Sequence, residues 1–230
     1  LNLPRSYRDP YTNGVPEEYF SRISKREVYE LTGIQIMNLN SLFQLYAAKK
    51  ESSSALEYAD SILFMPDALN YLFTKKKVCE YTIASTSQLL NPFTKKIEAE
   101  LLVPMNIEPT ILPQMVMPGT VVGNLEKSIQ RECNVPEIPF IAVAEHDTAS
   151  AVVAVPAEDE NFSYLSSGTW SLMGIETKNP IITEESYRLN FTNEGGVDGT
   201  IRFLKNITGM WLLERCREEW KLDGNSYTYP

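Results

Sequence analysis

The chain has 230 residues, 43% of them hydrophobic and 10% aromatic, which is ample for a packed core and excludes wholesale disorder. A length of this order fits one large domain or parts of two. The net charge of −9 argues against nucleic-acid binding, since nothing supplies a phosphate-facing basic stripe, and Lys75-Lys76-Lys77 reads as a solvated helix end.

The opening hundred residues read as short helices with strong punctuation. Ser24-Lys-Arg-Glu27 is a capping box, Ile23 and Val28 sit where a hydrophobic staple packs, and Gly33 supplies a left-handed stop. A second helix is expected from Asn40-Ser41, with Leu42, Leu45 and Tyr46 on one face. A third starts at Pro66-Asp67 and carries Leu69, Tyr71 and Leu72. A fourth is expected over 95–102, ending before Pro104. Residues 115–123 read as extended segments broken by Pro118-Gly119, and 126–133 as a short helix. The apolar run 138–144 is typical of a buried strand. Glu145-His146-Asp147 ends it, and 148–155 is small and apolar enough for a tightly packed helix with Asp147 or Thr148 as N-cap. The polar, turn-rich stretch 156–161 is the best domain boundary, dividing 1–156 from 157–230. Beyond it, 162–165 and 171–175 read as strands joined by Ser166-Ser-Gly-Thr-Trp170, and 191–197 and 200–204 as another pair. A last helix over 208–220 places Met210, Leu213 and Trp220 at core spacing, with Cys216 as packing.

Cys79, Cys133 and Cys216 are widely spaced and odd in number, which fits a reducing compartment better than a disulfide framework. That reading overrides the glycosylation sequons at Asn161, Asn190 and Asn206. His146 is the single histidine, which excludes a multi-histidine metal site. No apolar stretch approaches bilayer length, and the first residues are no signal peptide. The missing initiator Met and the abrupt end read as a fragment.

Asp147 stands at the carboxyl end of an expected strand, where open α/β sheets place ligand sites. A carboxylate there either caps the next helix or accepts a proton from an alcohol attacking a phosphoryl group. His146 reads equally as a structural histidine or a substrate contact. A Ser-His-Asp relay with Asp147 is disfavoured, since neighbours on an extended segment face opposite ways. The clustered hydroxyls and glycine of 166–171 make either an ordinary hairpin loop or a cradle for a phosphate.

Ala144-Glu-His-Asp-Thr-Ala-Ser-Ala-Val152 and Tyr164-Leu-Ser-Ser-Gly-Thr-Trp-Ser-Leu-Met-Gly174 together resemble the FGGY carbohydrate kinases, in the branch that acts on L-rhamnulose. Thr192-Asn-Glu-Gly-Gly196, Arg202-Phe-Leu-Lys-Asn-Ile207 and Gly209-Met-Trp-Leu-Leu213 continue the likeness, as do Tyr7-Arg-Asp9, Thr32-Gly-Ile-Gln35, Asn40 to Tyr46, Met65-Pro-Asp67 and Glu80-Tyr-Thr82. The resemblance implies an α/β protein of the actin/hexokinase superfamily, ribonuclease H-like in fold: most of the sugar-binding N-terminal domain (1–156) and the beginning of the nucleotide-binding C-terminal one (157–230). It implies phosphoryl transfer from ATP, with Mg²⁺, to the 1-hydroxyl of L-rhamnulose in rhamnose breakdown, in the cytoplasm, with neither nucleic acid nor membrane as partner. By resemblance, Asp147 is the proton acceptor, His146, Thr148 and Asn206 touch the sugar, and Gly168 and Thr169 face the nucleotide. Glu214 occupies a nucleotide-contacting position where glutamine is expected. An earlier glycine-rich phosphate turn and a later adenine-packing glycine pair are not in this sequence, so the fragment alone is expected to be inactive. Alternatives are a kinase for fuculose or xylulose, a non-catalytic sugar-binding module of the same fold, and a hydrolase using His146 and Asp147, which lacks a nucleophile.

Overall fold

The structure, a computed structural model, describes residue 6, residues 9–168 and residues 170–228. Tyr7, Arg8 and Thr169 therefore lie outside the described residues.

Helices α1 (Val15–Tyr19), α2 (Lys25–Thr32), α3 (Ser41–Lys50), α4 (Ser54–Glu57) and α5 (Met65–Thr74) open the chain. At α2 the expected cap is present: the Glu27 backbone N–H donates to Ser24 Oγ at 3.2 Å. Gly33 ends that helix at φ 64°, a left-handed conformation in which a Cβ is strained. β1 (Cys79–Glu80) runs straight into α6 (Tyr81–Ser85), and β2 (Leu90–Asn91) pairs antiparallel with β3 (Lys96–Ile97) before α7 (Ala99–Leu102). The first core gathers Tyr19, Val28, Leu42, Phe43, Tyr81 and Leu101 from these helices, and Ile23 joins it beside the α2 cap.

One expectation for this half is corrected. The helix expected over 95–102 begins only at Ala99. Ahead of it, Asn91 Oδ1 accepts from the Phe93 and Thr94 amides at 2.8 and 3.0 Å, and Lys95 takes a left-handed φ of 57°. An asparagine that closes a turn in this way competes with helix formation, so the segment becomes a hairpin. Helix α5 forms as expected, yet Leu69 and Leu72 point outward while Asp67 and Thr74 are buried. Its rotation is set by Asp67, whose Oδ1 accepts the Glu80 amide at 2.9 Å.

β4 (Met115–Val116) pairs parallel with β1, and β5 (Val121–Asn124) pairs antiparallel with β6 (Pro139–Ile141) across α8 (Lys127–Cys133). The run 138–144 was expected to be buried on both faces; instead it alternates. Ala142 and Ala144 are buried, whereas Ile138, Ile141 and Val143 are exposed. β6 pairs with β5 alone among the described residues, and the face that carries Ile141 and Val143 is left exposed.

α9 (Asp147–Val153) follows, and then a four-stranded antiparallel sheet in the order β7-β8-β10-β9. Its strands are β7 (Ser163–Ser167), β8 (Trp170–Thr177), β9 (Thr192–Gly195) and β10 (Ile201–Thr208), with α10 (Glu184–Arg188) between β8 and β9. The hairpins are those expected, and Val152 of α9 packs against Tyr164 and Leu204 to dock that helix on the sheet. The last helix, α11 (Trp211–Leu222), has no buried residue, so the expected core role for Met210, Leu213 and Trp220 is corrected, and Cys216 is exposed. The spacing is helical, but the face stays partly open, with Trp220 packed edge-on against the Tyr227 ring. No helix among the described residues is long and apolar enough to cross a membrane.

Candidate active site

The site is built on the junction where β6 gives way to α9. Two backbone amides there are pinned by α6. The Glu145 N–H donates to Glu80 Oε2 at 3.1 Å, and the His146 N–H donates to Thr82 Oγ1 at 3.1 Å. Glu80 is itself immobilised as the side-chain cap of α6, accepting the Thr82 and Ile83 amides at 2.9 and 3.1 Å. A fully buried carboxylate that accepts several backbone donors is a rigid anchor, because any rotation leaves an amide unpaired.

Beneath this clamp lie two further carboxyls. Asp67 is fully buried, and Glu145, which accepts from Asn70 Nδ2, lies within hydrogen-bond reach of it. Burial, with the charge of Asp67 added, pushes Glu145 up to about 8. Burial likewise raises Asp67 to about 6, against the pull of its bond from the Glu80 amide. Asp67 Oδ2 and Glu145 Oε2 find no hydrogen-bond partner among the described residues. Burial and the repulsion between the two charges favour one of the pair keeping its proton.

Asp147 occupies the first turn of α9. The Thr148 amide donates to its Oδ1 at 2.7 Å, while 97% of its side chain is exposed. Its second oxygen is thus free to accept a proton. His146 lies beside it, with Nε2 3.8 Å from Asp147 Oδ1. The expectation that these neighbours face opposite ways is corrected: both line one cavity, because they stand on a helix start and not on a strand.

That open cavity measures about 550 Å³. His146, Asp147 and Thr148 line it from the α9 side, and Ser166, Ser167 and Gly168 from the β7–β8 turn. Asn206 of β10 lines it too, its Nδ2 donating to Gln35 Oε1 at 2.6 Å. The Gly168 carbonyl accepts the Met210 amide at 3.0 Å, which ties the turn to the start of α11. The structure therefore brings together His146, Asp147, Thr148, Gly168 and Asn206. Glu214 is not among the lining residues; it pairs on α11 with Arg217 Nη1 at 2.9 Å. Among the described residues no group of three His, Cys, Asp or Glu side chains is arranged to hold a metal ion by itself.

Sequence reasoning missed the buried pair behind His146. Arg202 is fully buried, with Nε donating to the Gly195 carbonyl at 3.0 Å and Nη2 3.1 Å from Glu194 Oε2. Burial pushes the Glu194 carboxyl up, but its contact with His146 and the charge of Arg202 outweigh this and hold it below its usual value. The signal was available in the hairpin, where antiparallel register sets Arg202 directly opposite Glu194. Gly195, between them and α6, donates its N–H to Ser85 Oγ at 2.7 Å, and a Cβ there would lie 2.5 Å from the Tyr81 ring.

Comparison with known proteins adds to this geometry. The model of the FGGY family of carbohydrate kinases, N-terminal domain, matches residues 5–154, and that of the C-terminal domain matches residues 163–229. The chain is 60% identical over 220 residues to a rhamnulokinase of Bacteroides thetaiotaomicron, covering 96% of this chain and 45% of that protein. It is 47% identical over 215 residues to a rhamnulokinase of Oceanobacillus iheyensis, covering 94% and 45%. The chain thus spans less than half the length of these relatives. Among solved structures, a xylulose kinase from Lactobacillus acidophilus superposes with a TM-score of 0.79 at 17% identity, over 94% of this chain and 44% of that one. Plasmodium falciparum glycerol kinase with ADP superposes with a TM-score of 0.72 at 16% identity, over 88% and 43%. These likenesses show the fold, a mixed α/β arrangement of the actin/hexokinase-like kind.

Proposed function

Because the chain belongs to the FGGY family of carbohydrate kinases, we propose that the complete protein transfers the γ-phosphoryl group of ATP to the 1-hydroxyl of L-rhamnulose. The observation that carries the reaction type is Asp147, a carboxylate with one oxygen engaged by the Thr148 amide and the other open to a cavity that both family segments line. The choice of sugar is supported by the two rhamnulokinase relatives, at 60% and 47% identity.

In this proposal the sugar hydroxyl attacks the γ-phosphorus, the bond to the bridging oxygen breaks, and ADP leaves. The hydroxyl proton passes to Asp147 as the new bond forms. His146, Thr148 and Asn206 hold the sugar. Gly168 and Thr169 face the phosphates, and Glu214 stays in the nucleotide set only by its place in the α11 motif. Mg²⁺ comes with the nucleotide, since it binds through one or two carboxylates together with substrate phosphates and does not need a dedicated protein cage. The division at residue 156 into sugar-side and nucleotide-side domains is part of the proposal, supported by the gap between the matched segments at 154 and 163. A reducing, cytoplasmic setting is supported by the free Cys79, Cys133 and Cys216.

The test is ATP-dependent ADP release by the complete protein over a panel of ketoses. A strong preference for L-rhamnulose supports both reaction and substrate. Preference for fuculose or xylulose overturns the sugar and leaves the kinase, and sugar binding without ADP release from folded protein overturns the kinase.

A further inference from the structure

The Glu194–Arg202 pair makes two contacts to one ring nitrogen, and they demand opposite things of it. Arg202 Nη2 lies 2.8 Å from His146 Nδ1, and Glu194 Oε2 lies 3.3 Å from the same atom. A guanidinium has donors only, so the first contact requires an unprotonated Nδ1 that accepts. A carboxylate accepts only, so the second requires Nδ1–H. Both hold no better than one at a time in the neutral ring. The 2.8 Å contact has the length of a good hydrogen bond, whereas 3.3 Å exceeds the usual N–H···O range. A proton on Nδ1 would also face the Arg202 proton head-on at that separation. Arg202 Nη2 also lies 3.1 Å from Glu194 Oε2, an ion pair that holds the guanidinium against the carboxylate.

We propose that Arg202, held by Glu194, is a positioning residue that fixes the tautomer of His146, leaving the ring proton on Nε2 at the cavity. This inference rests on the sugar-phosphorylating reading of the site. Nε2 and Asp147 Oδ1 are 3.8 Å apart, too far to bond each other, which leaves Nε2–H for a hydroxyl oxygen beside the Asp147 carboxylate, whose second oxygen is open. Such an oxygen accepts from Nε2–H, so its one remaining lone pair is directed to the phosphorus and its own proton to Asp147. With the other tautomer Nε2 would be a second acceptor beside Asp147 and would compete for the hydroxyl proton. Arg202 is suited to enforce the choice, because it is fully buried, its Nε is spent on the Gly195 carbonyl, and its plane cannot turn without breaking that bond.

The experiment is the ¹⁵N spectrum of the complete protein labelled at histidine, recorded at about pH 8.5, where an ordinary imidazole is neutral. The His146 ring is identified by the signals that vanish in His146→Asn. The expected result is Nδ1 in the unprotonated range and Nε2 in the protonated range. The reverse pattern, or two protonated nitrogens, overturns the proposal. In Arg202→Met the ring is expected to switch to Nδ1–H donated to Glu194, with kcat down about 10–100-fold and the KM for ATP unchanged. A folded Arg202→Met protein that keeps the wild-type tautomer also overturns it. The wild-type spectrum needs no variant, so it decides even where Arg202→Met fails to fold. It also decides without turnover: absent ADP release sinks the kinase reading, and the wrong tautomer sinks this one.

Discussion

Glu145→Gln is expected to remove a pH dependence of stability that the Asp67–Glu145 pair builds into the protein. Burial and the nearby charge of Asp67 hold Glu145 up to about 8, from an ordinary value of 4.5. A carboxyl raised in the folded state binds its proton more tightly there than in the unfolded chain. Its contribution is therefore complete below pH 4.5 and is lost as pH rises through 8. Each unit corresponds to about 1.4 kcal/mol. Glu145 is only half-buried, and screening by solvent reduces the whole span to about 1–2 kcal/mol. Glutamine keeps the shape and the contact with Asn70 and has no proton to lose. At about 2–4 °C per kcal/mol for a chain of this size, the wild type should lose roughly 2–8 °C in Tm relative to the variant between pH 5 and 8. Thermal unfolding of both proteins, followed by circular dichroism in half-unit steps, gives the difference directly. A difference that stays flat across the window refutes the raised Glu145 carboxyl, and one that grows in the wild type's favour refutes the sign.

Asp147→Asn should lower kcat about 10²–10⁴-fold with sugar affinity retained, because asparagine still accepts the Thr148 amide but takes no proton. A near-normal rate in steady-state assays would remove Asp147 as the base. Thr169→Val should affect ATP use more than sugar affinity, and the reverse KM pattern would move that turn to the sugar side. Gly195→Ala forces a methyl to within 2.5 Å of Tyr81 and should cost about 1–3 kcal/mol in denaturant unfolding; an unchanged midpoint would show that the α6–β9 contact yields freely.

Local chemistry was legible in the sequence. Ser24 and Gly33 mark the ends of α2, because capping and left-handed termination depend on residues a few positions apart. The β7–β8 and β9–β10 hairpins were legible for the same reason. What failed was burial. The run 138–144 and the α11 face have the composition of core elements, but exposure is decided by what lies across from them, and composition does not name a neighbour. Helix α5 shows the second kind of failure: its apolar stripe was visible, yet a single hydrogen bond from the Glu80 amide to Asp67 decided which side faces inward. At the site, Asp147 and His146 were visible as a polar break after an apolar run. Glu194 and Arg202 were not singled out, because their meaning depends on register, which pairs them across the hairpin, and on the sheet meeting the start of α9.

The site divides its work between a rigid frame and a free group. The Glu145 and His146 amides are pinned by Glu80 and Thr82, and the His146 ring is held by Arg202, so the backbone entering α9 has little freedom. Asp147 itself is exposed, with one oxygen steadied by a neighbouring amide. A base buried before substrate arrives would meet the fate of Glu145, pushed up by desolvation until it holds its proton near neutral pH. Placing the carboxylate in water on a fixed stem avoids that cost while keeping its direction. In the proposed reaction, desolvation would come with the sugar, when the hydroxyl proton is already in place to be taken.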